Sequence, residues 1–175
     1  MHHIVSVRQM NFLFQVALST HPWESEFIVD VCILLVSYGC NIHADGVSPL
    51  HEAVRHNSPP VVDALLSASL KFPDTVTQAL ATVDETGYVP LHTAVRYGYL
   101  ECCRQLIDAG ADVNAMCQNM FGGYAVTALE LAVVRRNKDA VRLLLKSPSC
   151  QVDKVGSRKA TALLHATSRG LTMLR

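Results

Sequence analysis

The sequence predicts an all-α solenoid in which short antiparallel helix pairs stack in a single row. A short pattern recurs along the chain, most clearly at 48–54 and 89–95, and each copy is followed by a second apolar stripe. Equivalent apolar residues of successive copies are 36, 41, 38 and 34 residues apart, at Phe14, Leu50, Leu91, Leu129 and Leu163. Such self-similarity is the signature of a repeat array. Because burying one leucine contributes only roughly 1.5–3 kcal/mol, a lone helix pair does not fold, and neighbouring pairs must stack.

The composition is that of one globular domain without a global charge field. The chain has 175 residues, about the length of one domain. It is 50% hydrophobic, which excludes an intrinsically disordered chain, and its 15 basic residues balance its 15 acidic ones. No net field therefore steers it towards nucleic acid or an anionic membrane. The six cysteines lack metal-ligand spacing, and no secretory signal or membrane span is visible, so we expect reduced thiols in the cytoplasm or nucleus.

The first helix of each copy has recognisable start signals. Ser48, Thr127 and Thr161 are expected to cap this helix by accepting a hydrogen bond from a backbone N–H of its first turn. Pro49 and Pro90 suit the first helical turn, where no N–H is needed. These signals fix where each pair of helices begins.

Spacing and turn residues define the helix pairs. Leu91 and Ala94 place a large and a small residue three positions apart on one helical face, so that a partner helix can approach closely. Gly98 suits the tight turn between the two helices of a pair. Asn57 and Arg136 occupy the equivalent positions, where asparagine is the better left-handed residue of the two.

The third copy resembles the ankyrin repeat most completely, from Val89-Pro90-Leu91-His92 through Gly98 to Gly110-Ala111-Asp112-Val113-Asn114-Ala115. The resemblance covers almost the whole chain and implies a single domain, 1–175, whose units are joined by short β-hairpin finger loops. Five units are expected near residues 9–43, 44–80, 81–115, 120–153 and 158–175. The first is degenerate, and the last stops where its second helix should begin. We therefore expect the chain to be a fragment of a longer protein.

Two connections are longer than the repeat needs. The segment 67–82 exceeds the usual period by about eight residues, and an extra helical turn is expected at 77–80, after Pro73 and Asp74. It is interpreted as a spacer. The loop 116–124 is about five residues longer than usual, and it places Phe121 and Tyr124 around a Gly-Gly pair. Exposed aromatic residues of this kind are common binding anchors, although both rings could instead fold back onto the adjacent hairpin.

No motif for catalysis or cofactor binding is present. The chain has no Gly-rich phosphate loop, metalloprotease helix or nucleophile elbow, so we expect no enzyme activity, no cofactor and no metal. His51 and His92 could suggest a metal or acid–base site. The resemblance instead gives this histidine a structural role, in which it bonds the backbone of a neighbouring unit. Cys102 and Cys103 lie in an interior stripe, where a packing role is favoured over a reactive thiol.

The resemblance also implies a binding surface. In this family partners occupy a concave groove formed by the first helices and the finger loops, and the two residues before each helix–helix turn face that groove. In this chain they are Arg55 and His56, Arg96 and Tyr97, Val134 and Arg135, and Ser168 and Arg169. Such a basic ladder with one aromatic residue could hold an acidic peptide through arginine–carboxylate pairs. Alternatively, cations are simply favoured near helix C-termini by the helix dipole.

Two further features remain open at the level of sequence. The basic group at 135–138 with Arg142 is interpreted as a solvated face, with nuclear targeting or nucleic-acid binding as the alternative. The segment 106–114 resembles the ankyrin segment used by the oxygen-sensing asparaginyl hydroxylase, which makes Asn114 a candidate modification site. The ordinary role of this asparagine is to hold the hairpin turn.

The sequence therefore predicts a non-catalytic protein-recognition module or scaffold. Its expected partner is a protein, with an acidic segment as one possibility, and neither a small-molecule substrate nor a membrane is expected. One alternative is the substrate-recognition part of a ubiquitin ligase adaptor that resembles the ankyrin-and-SOCS-box proteins. Another is a regulatory segment of a larger enzyme or channel. The residues proposed to contact a partner are Arg55, His56, Arg96, Tyr97, Arg135, Phe121 and Tyr124.

Overall fold

A computed structural model of the chain describes residues 26–37, 48–68, 73–118, 124–156 and 161–168. Within these ranges the chain forms short helices and a two-stranded hairpin. In chain order they are α1 (Glu26–Ser37), α2 (Pro49–Arg55), α3 (Pro59–Ala68), α4 (Pro73–Ala81), α5 (Pro90–Tyr97), α6 (Leu100–Asp108), β1 (Met116–Gln118), β2 (Ala125–Thr127), α7 (Ala128–Val134), α8 (Lys138–Leu145) and α9 (Ala162–Ser168). None of the helices in the described ranges is both long and apolar enough to cross a membrane.

The helices form two packed rows, as a stacked array of helix pairs requires. In the first row α2 packs on α5, α5 on α7, and α7 on α9. In the second row α1 packs on α3, α3 on α6, and α6 on α8. Contacts within the pairs join α2 with α3, α5 with α6, and α7 with α8. The predicted all-α solenoid is therefore confirmed, while the exact boundaries of the five units stay predictions.

The core follows the large–small spacing read from the sequence. Leu50 and Leu91 are fully buried at the large positions. Ala53, Ala94 and Ala132, three residues after the large residue of their own copies, have no exposed surface at all. The missing side-chain volume at these alanines lets helices of the first row lie close together.

The helix starts agree with the predicted caps at two of three positions. The Thr127 hydroxyl accepts a bond from the Glu130 backbone N–H at 3.2 Å, and the Thr161 hydroxyl accepts one from the Leu164 N–H at 3.3 Å. The expected cap at Ser48 is wrong, because its side chain makes no capping bond to α2. The proline that follows Ser48 begins the helix instead, with its backbone angle already set for the first turn.

The turns between paired helices adopt the left-handed conformation expected of them. The φ angle is 80° at Gly98, 50° at Asn57 and 58° at Arg136. Gly98 is also tightly packed, since an added Cβ would lie 3.1 Å from the Asn137 side chain. Arginine is unfavourable in this conformation by roughly 1–2 kcal/mol, so the turn of the fourth unit lowers the stability of the fold by about this amount.

Both long connections contain regular structure. Strands β1 and β2 pair antiparallel, with Cys117 opposite Val126, so the long loop is a finger hairpin as expected. The predicted extra turn at 77–80 belongs to a longer helix, α4, which packs against α5. Val76, Ala79 and Leu80 are buried at helical spacing, and this apolar face explains why the insertion forms a helix rather than a loop.

Candidate partner-binding surface

Buried histidines join consecutive units, as the family resemblance implied. The His51 ring Nε2 lies 2.9 Å from the Tyr88 carbonyl oxygen, and the His92 Nε2 lies 3.1 Å from that of Val126. In each case the imidazole lies in one copy and the carbonyl in the next. The predicted structural role of both histidines is therefore confirmed.

The environment of these rings favours the neutral imidazole. Burial lowers the pKa of His51, and it lowers the pKa of His92 to about 4. A neutral ring that donates from Nε2 has a lone pair on Nδ1, and both Nδ1 atoms are buried without a hydrogen-bond partner in the described part of the chain. Such rings are locked inside the stack and offer no proton to a substrate.

The fourth unit makes its connection with a carboxylate. Glu130 occupies the motif position of the histidine and is buried, with 1% of its surface exposed. Its Oε2 accepts the Thr127 N–H at 2.9 Å, and its Oε1 accepts the Gly156 N–H at 3.1 Å. An added Cβ at Gly156 would lie only 2.7 Å from this carboxylate and 2.9 Å from the Ala125 carbonyl oxygen, so a larger residue would force the surrounding atoms to shift. This link was not predicted from the sequence, although the Glu at the histidine position is its signal.

Asn114 forms another bridge between units. Its Nδ2 donates to the Ser149 carbonyl at 2.7 Å, and its Oδ1 accepts the Gln151 N–H at 2.7 Å. The side chain is buried, and its own backbone N–H is held by Asp112 Oδ1 at 2.8 Å. Asn114 therefore holds the turn as expected, and an enzyme that modifies it would first have to open this loop. Its modification stays a prediction.

Cys102 and Cys103 lie on the buried side of α6. Both side chains are fully buried. Burial raises the pKa of Cys102 to about 11 and that of Cys103 to about 12, so the nucleophilic thiolate is scarce at neutral pH. This environment favours the packing role over the reactive one.

A cluster of rings surrounds Arg96 at the end of α5. The Arg96 guanidinium carbon lies 5.5 Å from the centre of the Tyr88 ring and 5.7 Å from that of Tyr97. Tyr97 stacks on Tyr99 at 5.7 Å, while Tyr88 stacks on His92 at 5.9 Å. Cation–π contacts of this kind hold a guanidinium in place without using its N–H groups. Tyr88 and Tyr99 were missed by the sequence analysis, although Tyr99 is two residues from Tyr97.

The surface of this cluster is open to solvent. Tyr97 is 53% exposed and Arg96 is half-buried. Two of the seven predicted contact residues are thus adjacent, oriented by neighbouring rings and accessible. Together they can offer a flat apolar ring and a fixed cation to a partner.

Arg55 and His56, at the equivalent turn of the second unit, are already engaged with acids. The Arg55 Nη1 donates to Glu52 at 3.0 Å and to Glu85 at 3.3 Å, and Glu85 lies in the connection that precedes α5. The His56 Nε2 is 3.8 Å from the other oxygen of Glu52. These contacts bring the end of α2 next to the connection that leads to the following unit. They also neutralise the cation that the basic ladder needs at this position.

The remaining predicted contact residues lie on or after the fourth unit's hairpin. Arg135 is exposed, and it has no ion-pair partner among the described residues. Tyr124 is 52% exposed beside β2, so its ring does not fold fully onto the hairpin. Phe121 lies outside the described residues. Nothing in the described ranges groups three or more His, Cys, Asp or Glu side chains around a possible metal.

Comparisons with known proteins agree with this architecture. The chain is 29% identical over 175 residues to the Nuclear factor NF-kappa-B p105 subunit of Gallus gallus, covering 98% of this chain and 16% of that protein. It is 29% identical over 128 residues to the Transient receptor potential cation channel subfamily A member 1 of Homo sapiens, covering 73% of this chain and 10% of that protein. To the Protein phosphatase 1 regulatory subunit 27 of Mus musculus it is 39% identical over 74 residues, 42% of this chain and 43% of that protein.

The chain thus spans 16% and 10% of the first two relatives and less than half of the third. The sequence model of the family described as "Ankyrin repeats (3 copies)" matches residues 25–117 and 73–156. These ranges contain both histidine links, the Glu130 link and the Arg96 cluster. The chain belongs to the ankyrin repeat family.

Proposed function

We propose that this chain is a non-catalytic module that binds a partner protein through the surface around Arg96 and Tyr97. Ankyrin repeats generally mediate protein–protein interaction. The observation that supports this location is the orientation of Arg96 by two tyrosine rings beside the half-exposed ring of Tyr97. Side chains that are already ordered lose little entropy on binding, and Tyr and Arg are the residue types enriched at binding hot spots.

A photo-crosslinking experiment tests this location. A benzophenone amino acid placed at position 97 should form a covalent adduct with the partner in cells. The same amino acid at position 104, an exposed position of α6 in the second row, should not. Adducts formed equally at both positions would contradict a specific surface at Tyr97.

A double substitution measures the energetic importance of this surface. Arg96→Glu with Tyr97→Ala should weaken binding of the crosslinked partner by at least about tenfold, since Arg and Tyr are typical hot-spot residues and the effects of neighbouring hot spots do not simply multiply. The melting temperature should stay nearly unchanged, because both side chains lie at the surface. Arg104→Glu with Leu145→Ala is the matched control in the second row. Unchanged affinity in the Arg96/Tyr97 variant would refute the proposal.

The finger hairpin is the second contact in this proposal. Tyr124 is exposed beside β2, and β2 leads directly into α7 of the first row. Tyr124→Ala should therefore weaken the same partner by about tenfold, and Phe121→Ala tests the neighbouring position predicted from the sequence. Arg55→Gln should have a smaller effect, because the acids beside it already compensate its charge. His56→Gln should also have a smaller effect, because its ring already lies 3.8 Å from Glu52.

A second candidate function is that of a regulatory segment within a larger protein. The observation that favours it is the share of the relatives that the chain covers, 16% of one and 10% of a cation channel. The ubiquitin ligase adaptor predicted from the sequence is a special case. Both are tested by purifying the protein expressed from its natural gene and measuring its mass and its associated subunits. A cullin among these subunits would support the ligase adaptor, and a catalytic or channel domain in the same chain would support the regulatory segment.

A further inference from the structure

Two guanidinium groups near the ends of first-row helices have no acidic partner among the described residues. Arg55 is paired with Glu52 and Glu85, whereas Arg96 and Arg135 have no ion-pair partner in the described ranges. Arg96 contacts the Tyr88 and Tyr97 rings, and a guanidinium has five N–H donors with which it can also bind a carboxylate. We call Arg96, Tyr97 and Arg135 the basic–aromatic patch.

The repeat fixes the spacing within this patch. Tyr97 and Arg135 occupy equivalent positions, because each directly precedes the left-handed residue of its turn, Gly98 or Arg136. Their helices, α5 and α7, pack side by side in the first row. Packed helices are about 8–10 Å apart, so the tyrosine and the arginine are separated by about one such step. Arg96 adjoins the tyrosine on the same helix.

A polyproline II peptide repeats at about this spacing. A polyproline II segment rises about 3.1 Å per residue with three residues per turn, so residues three apart lie on the same side, about 9 Å from each other. Such a segment can place a proline on the exposed Tyr97 ring and a carboxylate on Arg135. Aromatic surfaces bind this conformation readily because it is already ordered in the free peptide. A carboxylate next to the proline would reach Arg96.

We infer that the partner presents an acidic polyproline II segment in which a proline beside one carboxylate lies three residues from a second carboxylate, bound across the basic–aromatic patch. This inference rests on the proposed function and specifies the chemistry of its partner. This inference specifies where the proline and the two carboxylates lie in the acidic peptide that was predicted from the sequence. The second unit contributes little to binding of this segment, because Glu52 and Glu85 beside Arg55 repel an incoming acid.

Synthetic peptides provide the test. The probes are fluorescein-labelled Ser-Glu-Pro-Ser-Ala-Glu-Ser and the peptide with the reverse order of residues. The two peptides test the two directions in which the segment can cross the patch. Fluorescence anisotropy measures the binding of each peptide to the full chain. At least one should bind. Replacing both glutamates with glutamine should weaken it by at least about tenfold, and moving the second glutamate next to the first should weaken it by about threefold or more. Affinity should also fall as salt rises.

Variants of the protein assign the contacts. Arg135→Gln and Tyr97→Ala should each weaken the better peptide by about tenfold, while Arg104→Gln in the second row should change it by less than about twofold. Circular dichroism and thermal melting confirm that each variant is folded. Equal binding of the glutamine peptide, no effect of Arg135→Gln, or tighter binding of an oligothymidylate of similar length would overturn the inference.

The outcome separates this inference from the proposed function. If the Arg96/Tyr97 double variant loses its cellular partner but neither peptide binds the wild-type chain, the module binds a partner of another chemistry and the inference is wrong. If the double variant keeps its partner as well, the proposed surface itself is wrong.

Discussion

Acidification should destabilise this protein through His92. The ring has no exposed surface, and its desolvation lowers its pKa from 6.5 to about 4, despite opposing effects of the Val126 carbonyl and the Asp112 charge. In the unfolded chain the same ring titrates near its ordinary value. Between these two pKa values the unfolded state therefore binds a proton that the folded state does not. Stability should fall as the pH drops from 6.5 to 4, and this contribution should be constant at lower pH.

The size of the effect follows from the pKa difference. A shift of one pKa unit corresponds to about 1.4 kcal/mol, so a fall from 6.5 to about 4 makes the folded state less stable by about 3 kcal/mol at pH 4 than at pH 7. Typical domains have a free energy of unfolding of only about 5–15 kcal/mol. This single ring therefore accounts for a substantial part of the acid sensitivity that we expect.

The comparison of wild type with His92→Gln isolates this contribution. Glutamine can still donate a hydrogen bond to the Val126 carbonyl, but it does not titrate. Urea unfolding of both proteins, followed by circular dichroism at pH 7, 6, 5 and 4, gives their free energies of unfolding. The wild type should lose about 3 kcal/mol more than the variant over this range, while other groups such as His51 cancel in the difference. Parallel losses in the two proteins would refute the reasoning.

Four further predictions concern the stability of the stacked units and the modification of Asn114. Gly156→Ala should destabilise the fold by about 1–3 kcal/mol in urea unfolding, because the new Cβ would meet both the Glu130 carboxylate and the Ala125 carbonyl oxygen, and an unchanged free energy of unfolding would contradict this packing. Leu91→Ala should cost about 2–5 kcal/mol, since the side chain is almost completely buried, and a smaller loss would indicate a loosely packed third unit. Asn114→Ala should lower the hydrogen-exchange protection of the loop around Ser149, whose carbonyl accepts the asparagine amide, with a loss of about 1–3 kcal/mol. Peptide mass spectrometry of the protein from oxygenated cells tests whether Asn114 gains an oxygen atom; fully unmodified asparagine would end that prediction.

The sequence predicted features that depend on residue type and spacing. The left-handed turns at Asn57 and Arg136 were identifiable because their distance from Leu50 and Leu129 equals that of Gly98 from Leu91. The cap at Thr127 was predicted for the same reason. The cap at Ser48 was predicted in the same way but is wrong, since a residue type that suits the cap position does not fix the orientation of its hydroxyl.

Features that depend on contacts between units could not be predicted. The pairing of Arg55 with Glu85 joins residues 30 positions apart, and their proximity follows from the way one unit stacks on the next. The full length of α4 was also missed, because a short amphipathic stretch forms a helix only where another surface covers its apolar face. The ring stack around Arg96 has a local sequence signal in Tyr97 and Tyr99, but its third ring, Tyr88, comes from before α5.

The hydrogen bonds at the junctions give the array a fixed order. At the second and third junctions an imidazole meets a carbonyl oxygen, whereas at the fourth a carboxylate meets an amide N–H. His51 and His92 each bond a backbone carbonyl of the next unit, whereas Glu130 bonds the backbone N–H of Gly156. The repeats look alike in sequence, yet they are not interchangeable parts. Attempts to shorten, duplicate or transplant single repeats of this protein should therefore move Glu130 and Gly156 together.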